Sequence, residues 1–325
     1  MNLFNMQSLL TVGALVLGAS SVAAEGLDIQ FEAPSIHIAG QPFPVQVELQ
    51  VGETETPIAS WLLQPSAFSI NGQPIAMRKE GALIPLPPNT KLTIEYDLSE
   101  YIGDVANFDL TYAAKISEQG PIQVATFTEA RAEDGGALDF MAMDEMKLAQ
   151  YQVVMQTNRG PMLMEFWPEV APGHVRNFLD LSSTGFYNDI LFHRVGRNFM
   201  IQGGDPNTKD PALEGRWGTG GGPRQLQAEF NDRKHVKGVL SMARGGGDPN
   251  SASSQFFVMH APNAGLDNNY SAFGTLVAGH TASFETLDRI ASARGTAGRD
   301  GTITPSEPQR ILSASVVLKS SATSK

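Results

Sequence analysis

The stretch from Leu191 to Pro206 concentrates the chain's chemistry. One cation, Arg194, stands among the hydrophobes Leu191, Phe192 and Val195, and Phe199, Met200 and Gln202 follow within one strand length before Gly203 and Gly204 close the run. In an extended strand, residues an even number apart share a face. Arg194 and Gln202 meet that condition, but Gly196 to Asn198 reads as an interruption, so the parity carries no weight. What the composition does specify is an apolar groove with one fixed guanidinium beside it. Taken singly, Phe199, Met200 and Phe257 read as core, Arg194 as a surface ion pair and His193 as a structural residue rather than a base; only the joint pattern says more.

Other chemistries are excluded. The chain has no cysteine, which removes disulfides, zinc–thiolate sites and thiol catalysis. Its 6 histidines are scattered, with no His-x-x-x-His pair to hold a metal. The run Gly218 to Gly222 is followed by neither Lys-Ser/Thr nor a helix signal, so it is not a phosphate loop. No cofactor is called for.

The elements that must position the groove fall into two domains, as 325 residues exceed one ordinary core. Charge marks the seam. Glu25 to Phe140 carries 5 Lys and Arg against 17 Asp and Glu, while Tyr151 to Lys325 carries 17 against 15. The acidic half argues against nucleic acid as a partner.

From Glu25 to about Thr128 the hydrophobic period is two: Val45, Val47, Leu49 and Val51, then Leu92, Ile94, Tyr96 and Leu98, then Phe108, Leu110 and Tyr112, then Ile122 and Val124. That is the mark of half-buried antiparallel strands. Asn71-Gly72 reads as a tight hairpin turn. Residues 25–130 are therefore expected to form a β-sandwich, immunoglobulin-like in class. Residues 131–149 read as an acidic linker, with a short amphipathic helix as the alternative.

The second domain, 150–319, opens with a hairpin over Tyr151–Thr157 and Pro161–Phe166. Pro168 to Ser183 switches to helical spacing, with Val175, Phe178 and Leu179 as its stripe and Gly185 as its stop. Strands are expected over 238–244, 255–260, 273–277 and 311–318, and a second helix over 283–291 with Ser283 as N-cap. Residues 320–325 are expected to fray.

Residues 1–24 read as a signal peptide. Leu9 to Ala19 is almost continuously apolar, and Val22 and Ala24 are the small residues a signal peptidase requires, giving a mature start at Glu25. The run is too short to span a bilayer, and no cysteine follows it for a lipid anchor. The protein is thus expected to be exported, to a periplasm or beyond the cell, with no stable membrane anchor.

Phe192-His193-Arg194-Val195 followed by Asn198-Phe199-Met200-Ile201-Gln202-Gly203-Gly204-Asp205 resembles the core motif of the cyclophilins, the cyclosporin-binding peptidyl-prolyl cis-trans isomerases. Gly238 to Ala243, Ser254-Gln255-Phe256-Phe257, Leu266-Asp267 and Phe273-Gly274 resemble the family's later segments, in order and spacing. The resemblance implies a mainly β protein whose second domain is a closed eight-stranded antiparallel β-barrel capped by two α-helices. It implies Arg194 as the catalytic residue; Phe199, Met200, Phe257 and Leu266 as the proline pocket; Gln202 and Gln255 beside the substrate backbone; and Ala243 as a wall of the adjoining groove. Three positions depart from the best-known members. Arg244 stands where they carry Asn, at a position that meets substrate through its backbone; Gly265 replaces a Trp, which goes with weaker cyclosporin binding; and Tyr270 replaces a common His.

The implied reaction suits these residues. Rotation about a peptide bond costs ~18–20 kcal/mol because of its partial double-bond character. A guanidinium at the prolyl nitrogen, or at the carbonyl before it, favours the twisted amide over either planar form. The implied substrates are proline-containing polypeptides, and the implied task is folding of exported proteins. The alternative is a scaffold or holdase that grips proline segments, with turnover incidental.

Overall fold

The computed structural model describes residues 26–78, 81–103, 105, 107–113, 117–132, 135–298 and 302–319. The expected leader, 1–24, and the expected frayed tail, 320–325, lie outside the described residues. The chain divides into two compact units, up to Thr126 and from Phe127 onward.

In the first unit, alternation becomes antiparallel sheet. Strands Leu27–Glu32 and Lys91–Asp97 flank Pro44–Val51. A second sheet sets Ile36–Ile38, Ile122–Phe127, Asn107–Tyr112, Phe68–Ile70 and Gln73–Pro74 side by side. Phe31, Val47 and Leu49 of the first sheet share a buried core with Phe68, Leu110 and Tyr112 of the second, which makes the unit a sandwich. The turn at Asn71-Gly72 takes positive φ at both residues, 50° and 77°, and pairs Ile70 with Gln73. Two positive φ values are what a two-residue hairpin needs to match strand twist.

The second unit is built on one ten-membered antiparallel ladder. Eight of its strands run, in spatial order, Arg194–Gly196, Met200–Gly203, Phe256–Met259, Val239–Met242, Ala272–Leu276, Gly160–Phe166, Tyr151–Thr157 and Ile311–Leu318. The hairpin Gly295–Ala297/Ile303–Pro305 extends it beyond Arg194–Gly196. The result is a barrel-like sheet. No strand pair closes it among the described residues; an isolated bridge, Leu191 to Arg310, links the segment before Arg194 to that before the last strand.

The inward row of each strand forms the core: Val153, Met155, Met162, Met164, Val195, Ile201, Leu240, Val258 and Val316 all belong to one buried cluster. Two helices of more than one turn, Pro172–Ser183 and Thr281–Ala291, bury Val175, Phe178 and Leu179 and then Leu287 and Ile290 in the same cluster. The first starts at Pro172, ahead of its apolar stripe, and Gly185 follows it at φ +69°. Its first amides are satisfied from afar: the Glu229 carboxylate accepts the Gly173 and His174 N–H groups at 2.9 and 3.0 Å.

Two expectations are corrected. Ser283 does not cap the second helix, which begins two residues earlier at Thr281. Its buried hydroxyl instead accepts the Leu163 N–H at 2.8 Å, tying helix to strand. Residues 131–149 do not read as a linker in the structure. Phe140, Met143 and Leu148 lie in the second unit's core, and Glu145–Leu148 is a short helix capped by Asp144. Acidic residues on the outside of this segment hide an apolar inside.

Candidate active site

Arg194–Gly196 and Met200–Gly203 are the two arms of one hairpin, and Arg194 lies directly opposite Gln202. The interruption read at Gly196 to Asn198 is its tip, with Asn198 at φ 62°. Residues directly opposed in an antiparallel pair present their side chains on one face. The pairing continues across the sheet: Gln202 opposes Phe257, and Phe257 opposes Ser241. Arg194, Gln202, Phe257 and Ser241 therefore form a row perpendicular to the strands. The next row, Val195, Ile201, Val258 and Leu240, points the other way into the core.

This outer face carries its own apolar cluster. Met200, Val239, Phe257, Met259 and Ala272 are buried in it, with Phe199, Ala243, Leu266, Tyr270 and Trp167 packed at its margin. The Tyr270 ring meets Phe257 edge-on, 5.6 Å between centroids and 83° between planes. A groove of about 920 Å³ opens above, lined by Arg194, Phe199, Met200, Gln202, Ala243, Arg244, Phe257, Leu266 and Tyr270. The Arg194 guanidinium carbon stands 5.9 Å from the Phe199 ring centroid.

A polar relay fixes the cation. Arg194 Nη1 donates to Gln202 Oε1 at 2.7 Å; Gln202 Nε2 donates to Gln255 Oε1 at 2.9 Å; Gln255 Nε2 donates to the Gly218 and Gly220 carbonyls at 3.0 and 2.8 Å. That glycine loop is itself pinned. The fully buried Asp205 carboxylate accepts the Gly218 N–H at 2.5 Å and the Gly220 N–H at 3.2 Å through one oxygen, and the Asn207 N–H at 2.8 Å through the other. A Cβ on Gly220 would collide with Asp205 Oδ1, which is why that position is glycine.

A second buried chain supports the floor. His235 Nδ1 lies 3.1 Å from Asp267 Oδ1, and its Nε2 lies 3.1 Å from Ser241 Oγ. An ionised carboxylate only accepts, so Nδ1 carries the hydrogen and neutral Nε2 accepts from Ser241. Burial holds the His235 imidazole below its ordinary pKa, against the pull of Asp267. The backbone N–H of His235, more than any other group, holds the Asp267 carboxyl below its usual range. His193 is buried beside the groove and burial lowers its pKa too, which suits the structural role read for it.

Nine of the ten residues singled out from sequence line the one groove. Gln255 stands behind Gln202 and lines an adjoining cavity instead. Gly265 is exposed at the groove's edge, beside Leu266, and a Cβ there would meet nothing but Asn263 Oδ1. Sequence reasoning missed Glu214, Trp217 and the strand Ile303–Pro305, all of which line the groove. None carries a hydrophobic period or a motif that would have flagged it. It also missed His235 and Ser241, whose roles depend on a contact made only in the folded sheet.

With this geometry in hand, comparison with known proteins is direct. The family described as cyclophilin type peptidyl-prolyl cis-trans isomerase/CLD matches residues 152–316. A peptidyl-prolyl cis-trans isomerase of Arabidopsis thaliana, CYP18-2, is 35% identical over 168 residues, which cover 51% of this chain and 93% of the relative. One from Synechococcus elongatus is 38% identical over 143 residues, 44% of this chain and 88% of the relative. The match to a Neurospora crassa peptidyl-prolyl cis-trans isomerase-like 2 is 39% identical but spans only 23% of that longer protein. A crystal structure of a Cryptosporidium parvum cyclophilin type isomerase, solved in the presence of the dipeptide Ala-Pro, aligns at 30% identity and a TM-score of 0.43, over 52% of this chain and 99% of that one.

Proposed function

This chain belongs to the cyclophilin-type peptidyl-prolyl cis-trans isomerases, and from that membership we propose how its residues turn an Xaa-Pro bond and where they do so. The proline ring of a polypeptide substrate enters the apolar pocket of Phe199, Met200, Phe257 and Leu266, which fixes one side of the bond. Arg194, held by Gln202, donates toward the prolyl nitrogen as the amide twists and its lone pair loses conjugation. Such a donor interacts more strongly with the twisted amide than with either planar form, which lowers the barrier without acid–base work. The apolar walls strengthen that hydrogen bond by excluding water. No covalent bond is made or broken.

The single observation that carries this reading is the convergence, on one face of one sheet, of a relay-held Arg194 with a pocket of apolar rings and thioether. NMR exchange between the cis and trans forms of an Ala-Pro-Phe peptide tests it. The full chain should accelerate exchange at substoichiometric concentration. A folded protein that binds the peptide without accelerating it would instead be the proline-segment holdase, the reading for which Arg244 and Gly265 leave room.

The cellular task we propose is folding of exported proteins, in a periplasm or outside the cell. Its support is the apolar run Leu9 to Ala19 followed by Val22-Ala23-Ala24. Mass spectrometry of the protein recovered from its native cells tests it: a mature amino terminus at Glu25 is expected, and an uncleaved Met1 in the cytosolic fraction would overturn it.

A further inference from the structure

Beside the catalytic groove lies a second cavity of about 400 Å³. The two share a wall made by Gln202, Gly218, Ala243 and Arg244. Among the described residues that line the second cavity, Arg244 is the one ionisable group; glycine, glutamine, serine, threonine and alanine supply the rest. The carboxylate of Glu214 lines the groove but not this cavity.

The Arg244 guanidinium is positioned without being neutralised. Nε donates to the Asn269 carbonyl at 3.1 Å and Nη1 to the Gly245 carbonyl at 3.2 Å. The guanidinium carbon stands 4.8 Å from the Tyr270 ring centroid and 5.7 Å from that of Phe230. Carbonyls and ring faces hold a cation but carry no counter-charge. Arg159, Arg224, Arg233, Arg289 and Arg310 each reach a carboxylate, whereas no ion pair reaches Arg244 among the described residues.

We propose that Arg244 is a specificity-determining residue: it selects proline segments that carry an Asp or Glu close to the proline, whose carboxylate meets the guanidinium at the wall that the groove and the second cavity share. The inference rests on the isomerase reading of residues 150–319. A pre-positioned guanidinium loses little freedom on meeting a carboxylate, and its remaining N–H groups present the fork that a carboxylate fits. The neighbouring glutamine and serine groups are neutral and add no repulsion.

Peptides sharing an Ala-Pro-Phe core, with Glu, Gln or Lys placed before the Ala or after the Phe, test this by NMR exchange with the full chain. On one side of the proline, kcat/KM for the Glu peptide should exceed that for the Gln peptide by about threefold, as an exposed ion pair allows. The Lys peptide should fall below both. The Glu-to-Gln ratio should drop to about one in Arg244→Gln and shrink in about 0.5 M salt. Equal Glu and Gln rates on both sides, or an undiminished ratio in Arg244→Gln, would overturn the proposal. Turnover of the neutral peptide separates the two readings: acceleration without acid preference sinks this one alone. If nothing is accelerated, the isomerase reading fails, and the Glu-to-Gln ratio of Kd values from the same spectra still decides the role of Arg244.

Discussion

The His235 imidazole lies almost parallel to the Phe257 ring, 6.1 Å between centroids and 21° between planes. The ring that floors the proline pocket thus rests on a histidine that is itself held at both nitrogens, by Asp267 and Ser241. Replacing His235 by Leu keeps the bulk and strands the buried Ser241 hydroxyl, while the part-exposed Asp267 keeps Lys234 and the backbone N–H of residue 235. Unfolding free energy of the second unit should fall by about 1–3 kcal/mol, read by urea denaturation, with His235→Gln recovering part of it.

The same residue gives a pH signature. His235 is buried and its folded-state pKa is lowered by that burial, so the unfolded chain binds its proton first as pH falls. Its neutral form therefore contributes stability above the unfolded histidine pKa of about 6.5, and that contribution is lost as pH falls from there toward the folded pKa. Stability measured between pH 7 and 5 should decline with a slope that is shallower by up to one proton in His235→Gln. An unchanged slope would place the titration on other histidines.

Arg194→Ala should cost about 100-fold in kcat/KM while proline-peptide binding persists at a few-fold weaker Kd, because the pocket remains and the transition-state donor is gone. Arg194→Lys keeps the charge but not the planar fork that meets Gln202, and should recover little. Exchange rates and titration shifts in one NMR sample give both quantities.

Gln202→Leu removes the acceptor of Arg194 Nη1 and the donor to Gln255 together. We expect about a tenfold loss, mostly in kcat, as the guanidinium loses its orientation. Gln255→Leu, one step further from the cation, should cost less. If it costs more than Gln202→Leu, the relay does not transmit orientation in the order the hydrogen bonds suggest.

Gly220→Ala tests the base of the relay. The added Cβ cannot coexist with Asp205 Oδ1, so the loop must move and carry the Gly220 carbonyl away from Gln255. Activity should fall with the fold intact, as judged by an unchanged far-UV spectrum. Gly246→Ala, which meets nothing within 4 Å, is the silent control.

How far the sequence told this in advance differs by element. Period-two alternation placed the strands of the first unit, because a sheet face turned to the core must be apolar at every second residue; in the second unit strands such as Val239–Met242 are buried on both faces and show no such alternation. The groove was legible because its residues crowd into three short strands and the loops beside them. The acceptor that satisfies the first helix was not: Glu229 lies 55 residues from His174, and nothing local in either segment announces the other. Ser283 was misread because a serine before a helical stripe is ordinarily a cap, whereas here Leu163 claimed its hydroxyl. The parity between Arg194 and Gln202 was set aside because of the break between them. A hairpin restored it, placing the two face to face across the turn rather than along one strand.

The relay from Arg194 to the glycine loop runs in one direction only. An arginine cannot accept a hydrogen bond and a backbone carbonyl cannot donate one, so both ends dictate the orientation of every amide between them. Turning over either glutamine would set donor against donor on one side and acceptor against acceptor on the other. The two side-chain dipoles are therefore locked head to tail, each polarising the next. The electric field around the guanidinium is consequently a built-in, single-valued property of the folded chain, present before any substrate arrives.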